Sequence, residues 1–305
     1  MIGTLVTIEV PAHMSPLPAG DSADAAIGRA FGWFRHVERV CSRFDATSEL
    51  VRLTQRPHEA VEVSALLFEA VGFALEVARE TDGAFDPTIG LTMERMGFDR
   101  EYRTGRRVAT LVDRRSGDRL PATWREVLLD ADRSTITLLR PLLLDLGAVA
   151  KGLAVDLAAR ELEPLRHFAI DAGGDLYVSG DRDDGAPWSI GIRHPQEDAR
   201  LLDCVRVRDF AVCTSGNYER QREHGLEARH IVDPRTGSAP HDLLSVTVAA
   251  PSAMLADALA TAAFVLGVEQ GGRLLEAYGA SGLLCTSSLG TITTGRWGRD
   301  DVLGR

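Results

Sequence analysis

One apolar run near the C-terminal end carries a charge that it cannot leave unpartnered. From Met254 to Leu266 the chain reads as a helix, and Ala256-Asp257-Ala258-Leu259-Ala260-Thr261 lies inside it. Asp257 and Thr261 are four residues apart, so a helix stacks them on one face. Leu255, Leu259, Ala262 and Leu266 cover the opposite face and call for a packed core. A carboxylate on a helix buried on both sides needs a counter-charge or a ligand. A carboxylate and a hydroxyl at this spacing also form an all-oxygen pair suited to a hard cation such as Mg²⁺. A surface-facing Asp257 with Thr261 as filler would satisfy the same six residues.

The remaining composition sets limits. A chain of 305 residues can bury a large core, as one domain or as two lobes. The 45% hydrophobic and 26% charged content is that of an ordinary globular protein. A net charge of −10 argues against general nucleic-acid binding. Cys41, Cys204, Cys213 and Cys285 are scattered, with no CxxC pair, and are expected to be free thiols. No apolar run is expected to reach membrane-span length. The first residues lack a basic segment followed by a long apolar one. A cytoplasmic location is therefore expected, unless an export segment lies outside this sequence.

The segments alternate irregularly. Val6, Ile8 and Val10 have strand periodicity. Helices are expected over Ser22 to Cys41, Leu66 to Thr81, Ala148 to Leu162 and Met254 to Leu266, the last capped by Gly267. Ser42 to Asp45 reads as a polar loop, and Asp99 to Arg119 as a solvated, Arg-rich loop. Strands are expected at Ser134 to Leu139, Leu142 to Leu146, His167 to Asp171, Asp175 to Val178 and Trp188 to Arg193. Further strands fall at Cys204 to Val207, Ala211 to Thr214, His230 to Val232 and Leu244 to Ala249, with a closing hairpin over Gly282 to Thr294. Hairpin-linked strands with helices between them predict an α+β fold of largely antiparallel sheets with flanking helices.

Several short blocks could carry chemistry. Asp145 to Gly152 sits where a strand meets a helix, a junction that presents free N–H groups suited to phosphate, and Lys151 adds a positive charge. It is not a P-loop, because no GKS/T is present. A solvated first-turn lysine is the plainer reading. Gly173-Gly174 permits positive φ, either for a simple turn or for close approach of a ligand. Thr214 to Arg220 groups hydroxyl, amide and charged side chains, and His230 to Gly237 joins a titratable His to an Asp-Pro turn. Thr81 to Gly90 is explained by turn chemistry alone.

Taken together and in this order, the blocks resemble the ApbE family of FAD:protein FMN transferases. The resemblance runs from Ile2-Gly3-Thr4 through Ser42-Arg43-Phe44 with Ser48-Glu49, and Thr81 to Pro87. It continues through Asp145 to Gly152 with Asp156, Gly173-Gly174-Asp175 and Ser215 to Tyr218. It ends with His230 to Gly237 and Ala256 to Thr261. Leu153 and Asp171 depart from the family's usual Tyr and Asn. The resemblance implies an ApbE-like fold, a single domain over 1–305, and two lobes with the site between them as one possible arrangement.

It also implies site roles. Asp257, Thr261 and the Ala148 carbonyl match the family's Mg²⁺ ligands. Flavin and adenine contacts fall on Ile2, Phe44, Ala84, Phe85, Asp86, Asp145, Lys151 and Ile231. His230 matches the proposed general base, with Lys151 and Asp257 also placed in the catalytic set. The expected partners are FAD and an acceptor flavoprotein carrying a Thr flavinylation motif, with no nucleic acid and no membrane segment. The reaction implied is Mg²⁺-dependent transfer of FMN from FAD to a Thr hydroxyl, with release of AMP. The motifs leave open a Mg²⁺-dependent FAD pyrophosphatase and a non-catalytic flavin-binding protein.

Overall fold

The computed structural model describes residues 4–11, 22–100, 105, 121–197, 199–217, 231–299 and 302–304. The chain divides into two compact units. Unit 1 comprises Met1–Gly3, Arg35–Ala150 and Asp233–Ser238; unit 2 comprises Thr4–Phe34, Lys151–Val232 and Ala239–Arg305. The division falls inside two helices, α1 (Ala23–Cys41) and α5 (Gly147–Leu162).

Unit 2 is built on a seven-stranded sheet in which every pairing is antiparallel. Its order is β1 (Val6–Glu9), β5 (Phe168–Ala172), β6 (Asp175–Ser179), β9 (Phe210–Gly216), β10 (Leu243–Ala250), β11 (Ser281–Thr286) and β12 (Thr291–Thr294). Successive side chains on a strand face opposite ways. One set, Val178, Val212, Ala249 and Leu283, packs in a core with Trp188, Ile192, Val205, Val207, Trp297 and Leu303. These partners come from a second sheet, β7 (Trp188–Arg193), β8 (Leu201–Arg208) and β13 (Leu303–Gly304), and from Trp297. The long helix α6 (Ala253–Ala277) lies against β9 and β10.

Helix α6 extends the expected Met254 to Leu266 helix by a further segment. Gly267 does interrupt it, with φ 77° and ψ −174°, but helical structure resumes and continues to Ala277. By length and mean hydropathy, 1.3, α6 meets the requirement for a membrane-spanning helix, which corrects the expectation that no run approaches that length. Its apolar surface is instead largely consumed inside unit 2. Ala256, Ala258, Leu259, Ala260, Ala262, Ala263 and Phe264 are all fully buried, so the helix is covered all round near its start and not on one face only. The small alanines allow a close approach to the sheet.

Two features of α5 hold the first turn of α6. The Asp156 carboxylate accepts from the Ala253 and Met254 N–H groups at 2.7 and 2.9 Å, satisfying two of the donors that a helix start leaves free. Gly152 lies so close that a Cβ there would sit 2.4 Å from the Ala253 carbonyl oxygen. Elsewhere in unit 2, Glu161 on α5 accepts from Arg29 and Trp33 of α1, at 2.9 and 3.0 Å.

Unit 1 contains α2 (Glu49–Thr54), α3 (Ala65–Glu80), α4 (Gly90–Arg95) and a three-stranded antiparallel sheet. The sheet order is β2 (Ala60–Glu62), β4 (Thr135–Leu138) and β3 (Val127–Asp130). Ser48 and Ser64 cap α2 and α3 by accepting from the N–H three residues on. Glu49 in turn accepts from the Ser64 hydroxyl at 2.7 Å. Leu50, Leu53, Leu67, Ala70, Ala74, Ile136, Leu138 and Leu144 are fully buried.

Two expectations need correction. Leu142 to Leu146 is not a strand: its leucines are buried, and Leu143 makes a single parallel bridge to Ile89. Ile231 and Val232 are not in a strand either, and His230 lies outside the described residues. Ser42 to Asp45 forms the expected loop, with Ser42 and Arg43 buried in it. Most of Asp99 to Arg119 lies outside the described residues.

Gly152→Ala is expected to destabilise unit 2 by about 1–3 kcal/mol, because the new methyl group has nowhere to go without moving the start of α6. Urea unfolding followed by circular dichroism measures this.

Candidate active site

In unit 2 the Lys151 side chain leaves α5 and forms an ion pair with Asp175, the first residue of β6. Asp175 is fully buried, and apart from this ion pair neither of its carboxylate oxygens has a hydrogen-bond partner among the described residues. Lys151 thus has a specific buried counter-ion, and the reading of a free, solvated first-turn lysine does not hold. Gly173 and Gly174 shape the preceding turn with φ of 66° and 90°, and Asp171 Oδ1 accepts the Gly174 N–H at 2.8 Å. A Cβ on Gly173 would fall 2.0 Å from Thr4 Oγ1, so this glycine serves close packing as well as the turn.

Asp257 projects from α6 beside the same lysine. It is buried, and its Oδ2 has no hydrogen-bond partner among the described residues. Burial raises its carboxyl above the ordinary carboxylate value; the nearby Lys151 charge and the Gly152 N–H, which donates to it, act in the opposite direction. One turn further, the Thr261 hydroxyl lies 2.9 Å from Ser215 Oγ on β9. Cys213, also on β9, is fully buried with its Sγ 3.6 Å from the Ala253 carbonyl oxygen. Burial, reinforced by Asp257, holds this thiol protonated, so it is no nucleophile. The Ile231 N–H donates to Asn217 Oδ1 at 3.0 Å, and Ile231 is buried.

Unit 1 holds most of the other assigned residues. Asp145 precedes α5; its Oδ1 accepts the Gly147 N–H at 2.8 Å and its Oδ2 accepts Arg43 Nε at 2.7 Å. Arg43 also donates to the Phe98 carbonyl at 2.8 Å and lies 4.0 Å from the centre of the half-buried Phe44 ring. Ala84 and Phe85 are buried, behind Gly83 with φ 76°. Asp86 braces its own loop: Oδ1 accepts from Thr88 N and Oγ1, at 2.9 and 2.8 Å, and Oδ2 accepts the Trp124 N–H at 2.9 Å. Asp233 holds Arg235 with both carboxylate oxygens, at 2.9 Å each, in a turn closed by Gly237. Ala148 is half-buried in the first turn of α5.

Unit 2 therefore brings Lys151, Asp257 and Thr261 together. Phe44, Ala84, Phe85, Asp86, Asp145 and Ala148 belong to unit 1. Ile2 and His230 lie outside the described residues. Sequence reasoning assigned no role to Asp175, Ser215, Arg43 or Gly152. Asp175 carried one available signal, an acidic residue directly after a paired-glycine turn. Among the described residues no three His, Cys, Asp or Glu side chains gather into a metal cluster, so any cation here must draw on hydroxyl or carbonyl oxygens.

Fold and site define an α+β protein in which a lysine is set among buried carboxylates beside an antiparallel sheet, and the overall fold is that of the ApbE crystal structures. The ApbE protein of Thermotoga maritima superposes with a TM-score of 0.84 at 28% identity, covering 98% of this chain and 96% of that one. The flavin transferase ApbE from Vibrio cholerae gives 0.77 at 26% identity, covering 95% and 96%. The chain matches the ApbE family over residues 2–284 and belongs to it. A Treponema pallidum relative, named FAD:protein FMN transferase, is 34% identical over 309 residues, 91% of this chain and 80% of that protein. A Haemophilus influenzae relative of the same name is 30% identical over 249 residues, 77% and 71% of the two chains.

Burial holds the Asp86 carboxyl above its ordinary value, although the bonds from Thr88 and Trp124 and the charge of Arg125 pull the other way. Unfolding returns the group to its ordinary value. Between the two values the folded protein binds more protons than the unfolded chain, so stability falls as pH rises through that window. Asp86→Asn is expected to flatten this part of the stability profile, as read from urea melts between pH 3.5 and 7.

Proposed function

We propose that this chain transfers FMN from FAD to a threonine hydroxyl of an acceptor flavoprotein. The observation that carries the reading is the buried, unpartnered Asp257 Oδ2, one helical turn from the Thr261 hydroxyl and beside Lys151. The names of the relatives, FAD:protein FMN transferase, support the same reaction.

The donor set suits a hard divalent cation. An orphaned buried carboxylate oxygen is costly unless a ligand takes it, and a hydroxyl completes an all-oxygen pair. Asp257, Thr261 and the Ala148 carbonyl would hold Mg²⁺. When bound, Mg²⁺ supplies charge neutralisation at the pyrophosphate oxygens. Lys151 stabilises negative charge on the same phosphates. By the family resemblance, Phe44, Ala84, Phe85, Asp86, Asp145, Ile231 and Ile2 would contact the flavin and the adenine. The acceptor Thr oxygen bonds to the FMN phosphorus, and the bond from that phosphorus to the bridging oxygen breaks. AMP departs with the bridging oxygen and its electron pair. His230 takes the hydroxyl proton, a contribution typically worth roughly 10²–10⁴-fold in rate. Positioning and electrostatics supply the rest of the acceleration, as in other phosphoryl transfers.

Incubation with FAD, Mg²⁺ and an acceptor protein tests the proposal. A covalent FMN mass shift on the acceptor, with stoichiometric AMP, is the expected result. Free FMN and AMP with an unmodified acceptor would instead assign a pyrophosphatase. Asp257→Ala is expected to abolish Mg²⁺-dependent transfer with the fold intact by circular dichroism; undiminished transfer removes the metal assignment. His230→Ala is expected to retain FAD binding, measured by flavin fluorescence quenching, and to lose transfer. Normal turnover by that variant between pH 6 and 9 excludes His230 as the base.

A further inference from the structure

Two buried carboxylates in unit 2 lie near one lysine, and only one of them has it. Among the described residues Lys151 is ion-paired with Asp175, whose oxygens have no other hydrogen-bond partner, while Asp257 Oδ2 has neither an ion pair nor a hydrogen bond. Lys151 is close enough for its charge to act on Asp257 as well. A lysine has a long flexible stem and a compact charge, so it can swing to whichever carboxylate binds it best. Bound to Asp257, it would occupy the oxygen that a cation needs.

We infer that Asp175 is a positioning residue that draws the Lys151 ammonium away from Asp257 and so keeps the Asp257 carboxylate open to the metal. Several observations converge on this. Asp175 is fully buried, and among the described residues its only charged partner is Lys151. It stands at the first position of β6, after a turn fixed by Gly173 and Gly174, so the backbone holds the carboxylate in place. Asp257 is fixed in the same way, because Asp156 and Gly152 lock the start of α6 to α5. The two carboxylates stand on rigid elements and the lysine between them is the movable part. Asp175 thus acts through Lys151 and not as a ligand.

The inference rests on the metal assignment above, and a double-mutant cycle separates the two. Mg²⁺ binding is measured by isothermal titration calorimetry on the full chain without FAD, so the readout is independent of turnover. Asp257→Ala must lose Mg²⁺ binding; if it does not, the metal assignment itself fails. Given that loss, Asp175→Asn is expected to weaken Mg²⁺ binding about tenfold or more, because the released lysine pairs with Asp257. Lys151→Met in the Asp175→Asn background is expected to restore binding to within about threefold of Lys151→Met alone. A merely structural role for Asp175 would not be rescued by removing the lysine. Parent-like Mg²⁺ affinity in Asp175→Asn overturns the inference, as does weakened binding that Lys151→Met leaves unrescued. If Asp175→Asn does not fold, the comparison of Lys151→Met with the double variant decides alone: equal affinities uphold the inference, and a loss of tenfold in the double variant, or its failure to fold, overturns it.

Discussion

The close contact between α5 and the first turn of α6 is the constraint on which unit 2 depends. Two residues of one helical stretch produce it, and a third ties that stretch to the sheet. Gly152 removes the side chain that would strike the Ala253 carbonyl. Asp156 takes up two free N–H groups at the start of α6. Lys151 turns toward Asp175 on the neighbouring sheet. Loosening this contact would shift Asp257 relative to Lys151, and the charge balance of the site with it. A helix start held by a half-buried carboxylate is also favoured by the helix dipole. The same contacts that stabilise unit 2 therefore set the positions of Lys151 and Asp257.

That arrangement stores an electrostatic cost. A buried carboxylate with an unpartnered oxygen opposes folding, and the raised Asp257 carboxyl is the sign of it. Natural sites accept such costs where a ligand later relieves them. In unit 1 the pattern differs. Asp86, Asp145 and Asp233 have both carboxylate oxygens engaged by donors of the same unit, so they act first as braces for the loops that carry Phe44, Ala84 and Phe85.

Much of the architecture was legible in the chain. Period-two alternation located β1, β5, β6, β7, β9 and β10, and helical periodicity located α1, α3, α5 and the first half of α6 to within a few residues. Short elements escaped. Helices α2 and α4 have six residues each, too few to show a period, and β2 has three. The Leu142 to Leu146 run was misleading because continuous apolar residues report burial, not strand pairing. Gly267 misled in another way: it does break the helix, but packing against the sheet restarts it.

The sequence by itself determined the α+β class, the run of short blocks that marks the ApbE family, and the pairing of Asp257 with Thr261 on one helix face. These are local properties, set by periodicity and by spacing along the chain. Only the tertiary structure decided which groups are satisfied. Lys151 and Asp175 are separated by 23 intervening residues, and Asp156 and Ala253 by 96, so no window of sequence reveals that they meet. Hydrogen-bond and ion-pair partners across such distances are chosen by packing. For that reason it is the fold, and not the local sequence, that shows Lys151 paired with Asp175.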